Sequence, residues 1–239
     1  MNQKINYERN KKYFEQGPMK PIIILFVIGI VILLIGAGVA SVGGGAGGVV
    51  VGIILIAVGA LLIYLRNNGP SDSEIDQQCF SMVSDLKERA LQKIGLDIDD
   101  VKEIEPITFD WYFYKSIGSR CILQLGKDNI LRSSNYEGVV FFFSANQVYC
   151  FTFRFSLINQ NETNSSTDEY FYKDIVSAST ATDTVTYPDK SGTKQSMSYE
   201  YFKLTTSGGT SIEAAMRSNP ETERAINGMK NLLRNKKAQ

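Results

Sequence analysis

Residues 21–40 and 46–65 are two runs of 20 residues without one charged side chain, separated by the glycine connector "SVGGG". No other feature narrows the possible folds of this chain so far. A helix rises about 1.5 Å per residue, so each run spans about 30 Å, the thickness of a bilayer's hydrocarbon core. A helical pair buried in a soluble protein fails on volume, because of 239 residues only about 170 follow the second run. A domain of that size cannot wrap so long an unbroken apolar segment. The expectation is a two-helix transmembrane hairpin at 21–65, behind an N-terminal segment at 1–20.

The same stretch imitates two other things. "IGAGVAS" carries Gly36 and Gly38 of a G-x-G-x-x-G phosphate loop but Ser41 in its third place, and Gly43, Gly45 and Gly48 fit the pattern in a second frame. Such a loop needs an acidic residue about 20 positions on to hold a ribose. Here no Asp or Glu occurs between Glu15 and Asp72, so no dinucleotide is expected. A basic start, an apolar run and small residues near Ala40 also resemble a signal peptide, but this run exceeds the usual 7 to 15 residues and a second span follows at once.

Charge sets the expected orientation. Lys11, Lys12 and Lys20 precede the first span and Arg66 closes the second, while the connector is uncharged. By the positive-inside bias both termini and the domain after the hairpin are cytoplasmic, in a multi-pass protein of the cell membrane. Cys79, Cys121 and Cys150 follow no disulfide or zinc spacing and are expected as ordinary buried thiols. The sequons at Asn161 and Asn164 are expected to lie unused in a polar loop.

Within the spans Gly29, Gly36 and Gly43 recur every seven residues, as do Gly45, Gly52 and Gly59. This spacing places a smooth stripe on each helix, suited to close packing across a left-handed crossing. Neither span holds an ionisable or amide side chain, which argues against a transporter or channel.

Residues 66–105 are a hinge followed by one amphipathic helix. Ser71 and Glu74 are spaced as a capping box, the positions from Ile75 to Ile94 keep the 3.6-residue period, and Gly95 ends it. From Asp72 to Glu105 there are ten acidic and four basic residues, which would repel an anionic leaflet. From Ile107 the period becomes two, and apolar runs are parted by "GKDN", "SANQ", "PDKSG" and "SGG" at hairpin spacings. Asn219, Pro220 and Glu221 then open a final amphipathic helix that closes on Arg234, Lys236 and Lys237. The fold class is α+β, with residues 106–239 a mostly antiparallel β domain closed by a C-terminal helix.

Successive strands and one closing helix resemble the pleckstrin-homology (PH) superfold. "EGVVFFFSANQVYCFTF", "EYFYKDIVSAS" and "YFKLTTSGGTSIEAAM", with the final helix, look similar to bacterial PH-like and GRAM-like domains of membrane-anchored proteins over roughly residues 137–236. The resemblance implies a bent barrel of about seven strands plugged by the helix and used for binding, with residues 104–135 as added strands ahead of it.

Catalysis finds little support. The chain has no histidine, which removes the commonest general base and zinc ligand. Ser84-x-x-Lys87 matches a serine–lysine pair by spacing alone, and Asp97, Asp99 and Asp100 lack the spacing of a calcium loop. No catalytic residue, cofactor or metal is expected, and the chain is not expected to be an enzyme. Residues 106–217 carry ten basic and eleven acidic residues, so neither nucleic acid nor phosphoinositide is expected as a ligand. The expected function is a membrane-anchored PH-like module that recruits or scaffolds a protein partner through an exposed strand edge or a groove beside the final helix. The alternative is a subunit of a membrane homo-oligomer assembled through the glycine-striped hairpin.

Overall fold

The computed structural model describes residues 5–15, 20–40, 46–101, 104–189, 191–217 and 219–237. Helix α1 (Tyr7–Phe14) starts where Asn6 accepts a hydrogen bond from the Arg9 amide. It precedes the two long apolar helices, α2 (Lys20–Ala40) and α3 (Ala46–Asn67). Their central segments, Pro21–Val39 and Gly47–Leu65, have mean hydropathies of 3.3 and 2.8, and each is only 11% buried. Both are long and apolar enough to cross a membrane, and their bare surfaces distinguish them from the core helices of a soluble protein.

After α3 the chain forms α4 (Asp72–Val83), α5 (Leu86–Ile94) and a short 3-10 turn at Ile98–Val101. The capping box is present in full: Ser71 Oγ accepts from the Glu74 amide and Glu74 accepts from that of Ser71. The single long helix expected from the periodicity is instead two. It breaks at Ser84-Asp85, where Ser81 and Ser84 hydroxyls donate to carbonyls three residues back, at Gln78 and Ser81. Side chains that compete with the backbone in this way open helices, and a new helix begins at Leu86. Gly95 ends it with φ of 77°, a left-handed conformation that glycine adopts without strain.

The strands are β1 (Ile107–Tyr112), β2 (Leu123–Leu125), β3 (Leu131–Ser133), β4 (Asn135–Phe143), β5 (Gln147–Ser156), β6 (Thr163–Phe171), β7 (Ile175–Pro188), β8 (Lys194–Thr206) and β9 (Ser211–Ala215). They make an antiparallel sheet in the order β1-β4-β5-β6, a second in the order β7-β8-β9, and the small hairpin β2-β3. Helix α6 (Pro220–Lys237) follows. Two expectations change here. The sequons lie on or beside β6, an edge strand rather than a loop: its polar residues run unbroken from Thr163 to Glu169 and stay largely exposed, on a strand that pairs on one side only. Residues ahead of 137 are not all additions, since β1 pairs with β4 from Ile107↔Phe141 to Tyr112↔Tyr136 and belongs to the main sheet. Among the described residues no ladder joins the two larger sheets, and no closed barrel is found.

Strand β4 is buried at all nine positions, and the period-two pattern explains how. Successive side chains point to opposite faces. Val139, Phe141 and Phe143 enter one core with Phe109, Phe202 and the α6 residues Ile226, Met229 and Leu233. Tyr136, Val140 and Phe142 enter another with Ile75 and Cys79 of α4, Leu86 and Ala90 of α5, and Tyr13 and Phe14 of α1. The first sheet is thus covered on both faces. A Cβ at Gly138 would lie 2.8 Å from Leu86 and 3.0 Å from Val83, so the bare glycine lets α4 and α5 settle on the sheet.

Candidate functional site

The hairpin helices meet at glycines. A Cβ at Gly36 would lie 2.7 Å from the backbone of Gly48 and Val49, one at Gly52 2.7 Å from the backbone of Leu33, one at Gly29 3.0 Å from that of Ile56, and one at Gly59 3.0 Å from the Phe26 ring. Bare glycine surfaces bring the two backbones together, as small residues do in membrane helix pairs. Gly48, outside the seven-residue repeat, sits opposite Gly36. Gly43 and Gly45 lie outside the described residues.

Both flanks of the hairpin dock on the outer core. Asn10 of α1 is fully buried, donating to Gln78 Oε1 at 2.9 Å and to the Leu157 carbonyl at 3.0 Å, and accepting from Gln78 at 3.2 Å. Tyr13 donates to Asp72 at 2.7 Å, joining the residues just before α2 to those just after α3. Of the charges that set the expected orientation, Lys11 pairs with Glu8 at 2.8 Å and Lys12 is exposed. Lys20 opens α2 and Arg66 lies in the last turn of α3, with both side chains outside the description.

Beside this junction lies an arginine hub. Arg132, with 0% of its side chain exposed, binds Asp76 at 2.9 and 2.7 Å and Asp128 at 2.8 and 2.7 Å. Two bidentate carboxylates satisfy the planar guanidinium. Tyr112 adds a hydrogen bond to Asp76 at 2.5 Å, and the Lys127 amide donates to Asp72 at 2.7 Å. Hydrogen bonds from Arg132 hold the Asp128 carboxyl down at about 2. Burial, then donation to a carboxylate, pushes the Tyr13 hydroxyl well above its ordinary value. The hub pins the β2-β3 hairpin to the start of α4. The sequence hides it, because Asp128 and Arg132 flank a turn while Asp76 lies on a distant helix.

A concavity of about 990 Å³ runs along β1 between α4 and α6. Every residue from Ile104 to Tyr112 lines it, so its floor is the edge of β1 that does not pair with β4. One wall carries Asp76, Gln77 and Phe80 of α4; the other carries Glu221, Thr222, Ala225 and Gly228 of α6. Asn219 caps that helix by accepting from the Thr222 amide at 2.8 Å. Phe80 is 68% exposed, and the Arg217 guanidinium stacks 4.5 Å above Trp111, a cation–π contact that keeps both side chains at the rim. Asp110 accepts from Tyr136 at 2.6 Å.

The remaining sequence candidates are not brought together. Ser84 ends α4 and donates to the Ser81 carbonyl, while Lys87 is exposed on α5. Among the described residues no group of three or more His, Cys, Asp or Glu side chains is placed to hold a metal ion. Cys79 and Cys150 are buried and Cys121 half-buried, all as free thiols; burial raises the pKa of each. In comparisons with protein-family models, curated proteins and solved structures, the chain has no match.

Proposed function

We propose that this chain is a membrane-anchored interaction module that recruits a protein partner to the inner membrane surface, with both termini and the domain on the cytoplasmic side. The observation that carries the proposal is the docking of α1 and α4 on one sheet face through Asn10, Gln78 and Leu157. The two outer ends of the hairpin therefore lie on one folded body, and the lysines before α2 orient that body inward. Four strands, then three, then a closing helix support the PH-like plan, with residues 113–134 inserted after its first strand. The near-neutral charge of residues 106–217 favours protein over anionic lipid. Gly29, Gly36, Gly52 and Gly59 are engaged within one hairpin, which disfavours their use in building an oligomer.

Cysteine labelling tests the orientation. In a Cys121→Ser background, an impermeant maleimide applied to intact cells should label Gly45→Cys and leave Asn2→Cys and Asn231→Cys unmodified. Labelling at 2 and 231 with none at 45 would place the domain outside.

A further inference from the structure

We propose that the unpaired edge of β1 takes up an extended cationic segment of the partner as an added strand, clamped between α4 and α6; this rests on the reading of the domain as a docking module. The ladder fixes which groups are on offer. The Phe113 amide donates to Asn135 at 2.9 Å, and since bonding alternates along an antiparallel pair, Ile107, Phe109 and Trp111 also point their backbone groups at β4. Those of Thr108, Asp110 and Tyr112 point into the groove, where they meet no backbone partner among the described residues. An edge of this kind is a template for strand addition.

Three further features shape the ligand. Thr108 Oγ1 is a buried polar atom without a hydrogen bond among the described residues, and it lines the groove. Buried hydroxyls are nearly always satisfied, so the ligand supplies its partner. With Asp76 already paired to Arg132, Glu105, Asp110 and Glu221 line the groove against Lys87 and Arg217. Glu105 and Glu221 are exposed, with no ion pair among the described residues, and this excess of carboxylates selects cationic side chains. Gly228, finally, sits inside α6, where glycine is a poor helix former. A Cβ there would meet nothing within 4 Å, so the glycine serves no internal contact and instead keeps the wall of the groove low. Phe80 offers the incoming strand an apolar lip.

The test uses the full chain in nanodiscs and a fluorescein-labelled Lys-Val octapeptide of alternating residues, by anisotropy. A Glu-Val peptide and a Lys-Val peptide N-methylated at alternate amides serve as controls. The Lys-Val peptide should bind at least tenfold more tightly than either control. Gly228→Phe should weaken it at least tenfold without lowering the melting temperature, since the change favours the helix while filling the groove. Equal affinity for all three peptides, or full affinity in Gly228→Phe, overturns the groove proposal. Binding to the Lys-Val peptide that survives Gly228→Phe would leave the docking reading standing at another site. A drop in oligomer mass in Gly228→Phe without peptide would make the occupant a second copy, against the proposal. The reading itself falls only if the labelling places the domain outside.

Discussion

On the outer face of the first sheet, α4 and α5 lie so close that a Cβ at Gly138 would come within 2.8 Å of Leu86, whereas α6 turns Gly228 toward open space with nothing within 4 Å. Both regions use the same device, an amphipathic helix against a sheet, and both carry a glycine, Gly138 within the buried strand β4 and Gly228 within α6. One glycine secures contact and the other clearance. The apolar stripes of α4, α5 and α6 are alike in kind, so the hydrophobic pattern of a helix says that it covers something but not how completely. Coverage is decided by what stands opposite: on the outer face the side chains of β4, and at the groove the bare edge of β1.

The sharpest way to break this comparison lies in the hairpin, where contact is backbone to backbone. Gly36→Leu or Gly52→Leu should cost about 3 kcal/mol, the upper range for overpacking, because the new Cβ would stand 2.7 Å from backbone that cannot rotate away. Ile32→Leu, read beside them by thermal unfolding in detergent, should be nearly neutral. Equal melting of all three variants would remove the glycines from the packing.

Gly138→Val comes next. The atoms it would strike belong to the side chains of Leu86 and Val83, which yield more readily than backbone, so the expected loss is about 2 kcal/mol. Urea unfolding measures it, and an unchanged midpoint would mean that α4 and α5 do not need their close approach.

The smallest effect concerns the hub. Asp128 has a folded pKa of about 2, below its ordinary 3.8. A depressed carboxyl contributes stability that is present above the ordinary value and is lost as pH falls through the folded one. Because the Asp128 side chain is 41% exposed, solvent screening holds this contribution to about 1 kcal/mol. The stability of Asp128→Asn should therefore trail the parent by about that amount at pH 6 and converge with it between pH 4 and 2. A gap that persists at pH 2 would assign the loss to packing rather than charge.

The spans were legible within a residue or two, because 20 uncharged residues admit few alternatives. The turns and most strands were legible as well, since alternation and turn residues act locally. What stayed hidden depended on distant partners. Nothing in "YERNKKYF" announces that Asn10 will be buried against Gln78 and Leu157, and a helix of eight residues has no stability of its own to announce. Asp76 reads as one more solvated carboxylate until Arg132 arrives from a hairpin 56 residues later. The groove was anticipated only as a strand edge or a cleft beside the last helix. The particular edge followed from the pairing of β1 with β4 across the inserted residues 113–134, which a single sequence does not reveal.

The docking of α1 also orders the protein's birth. Asn10 and Leu157 are 147 residues apart, so at synthesis rates of about 5 to 20 residues per second the ribosome needs roughly 7 to 30 seconds to reach the acceptor after making the donor. In that interval both spans are made and the sheet that will receive α1 does not yet exist. Until that sheet is made, α1 lacks the surface that covers Tyr13 and Phe14. Its docking on Gln78 and Leu157 brings together the two flanks of the apolar hairpin, a closure that can follow only after both long helices have been made.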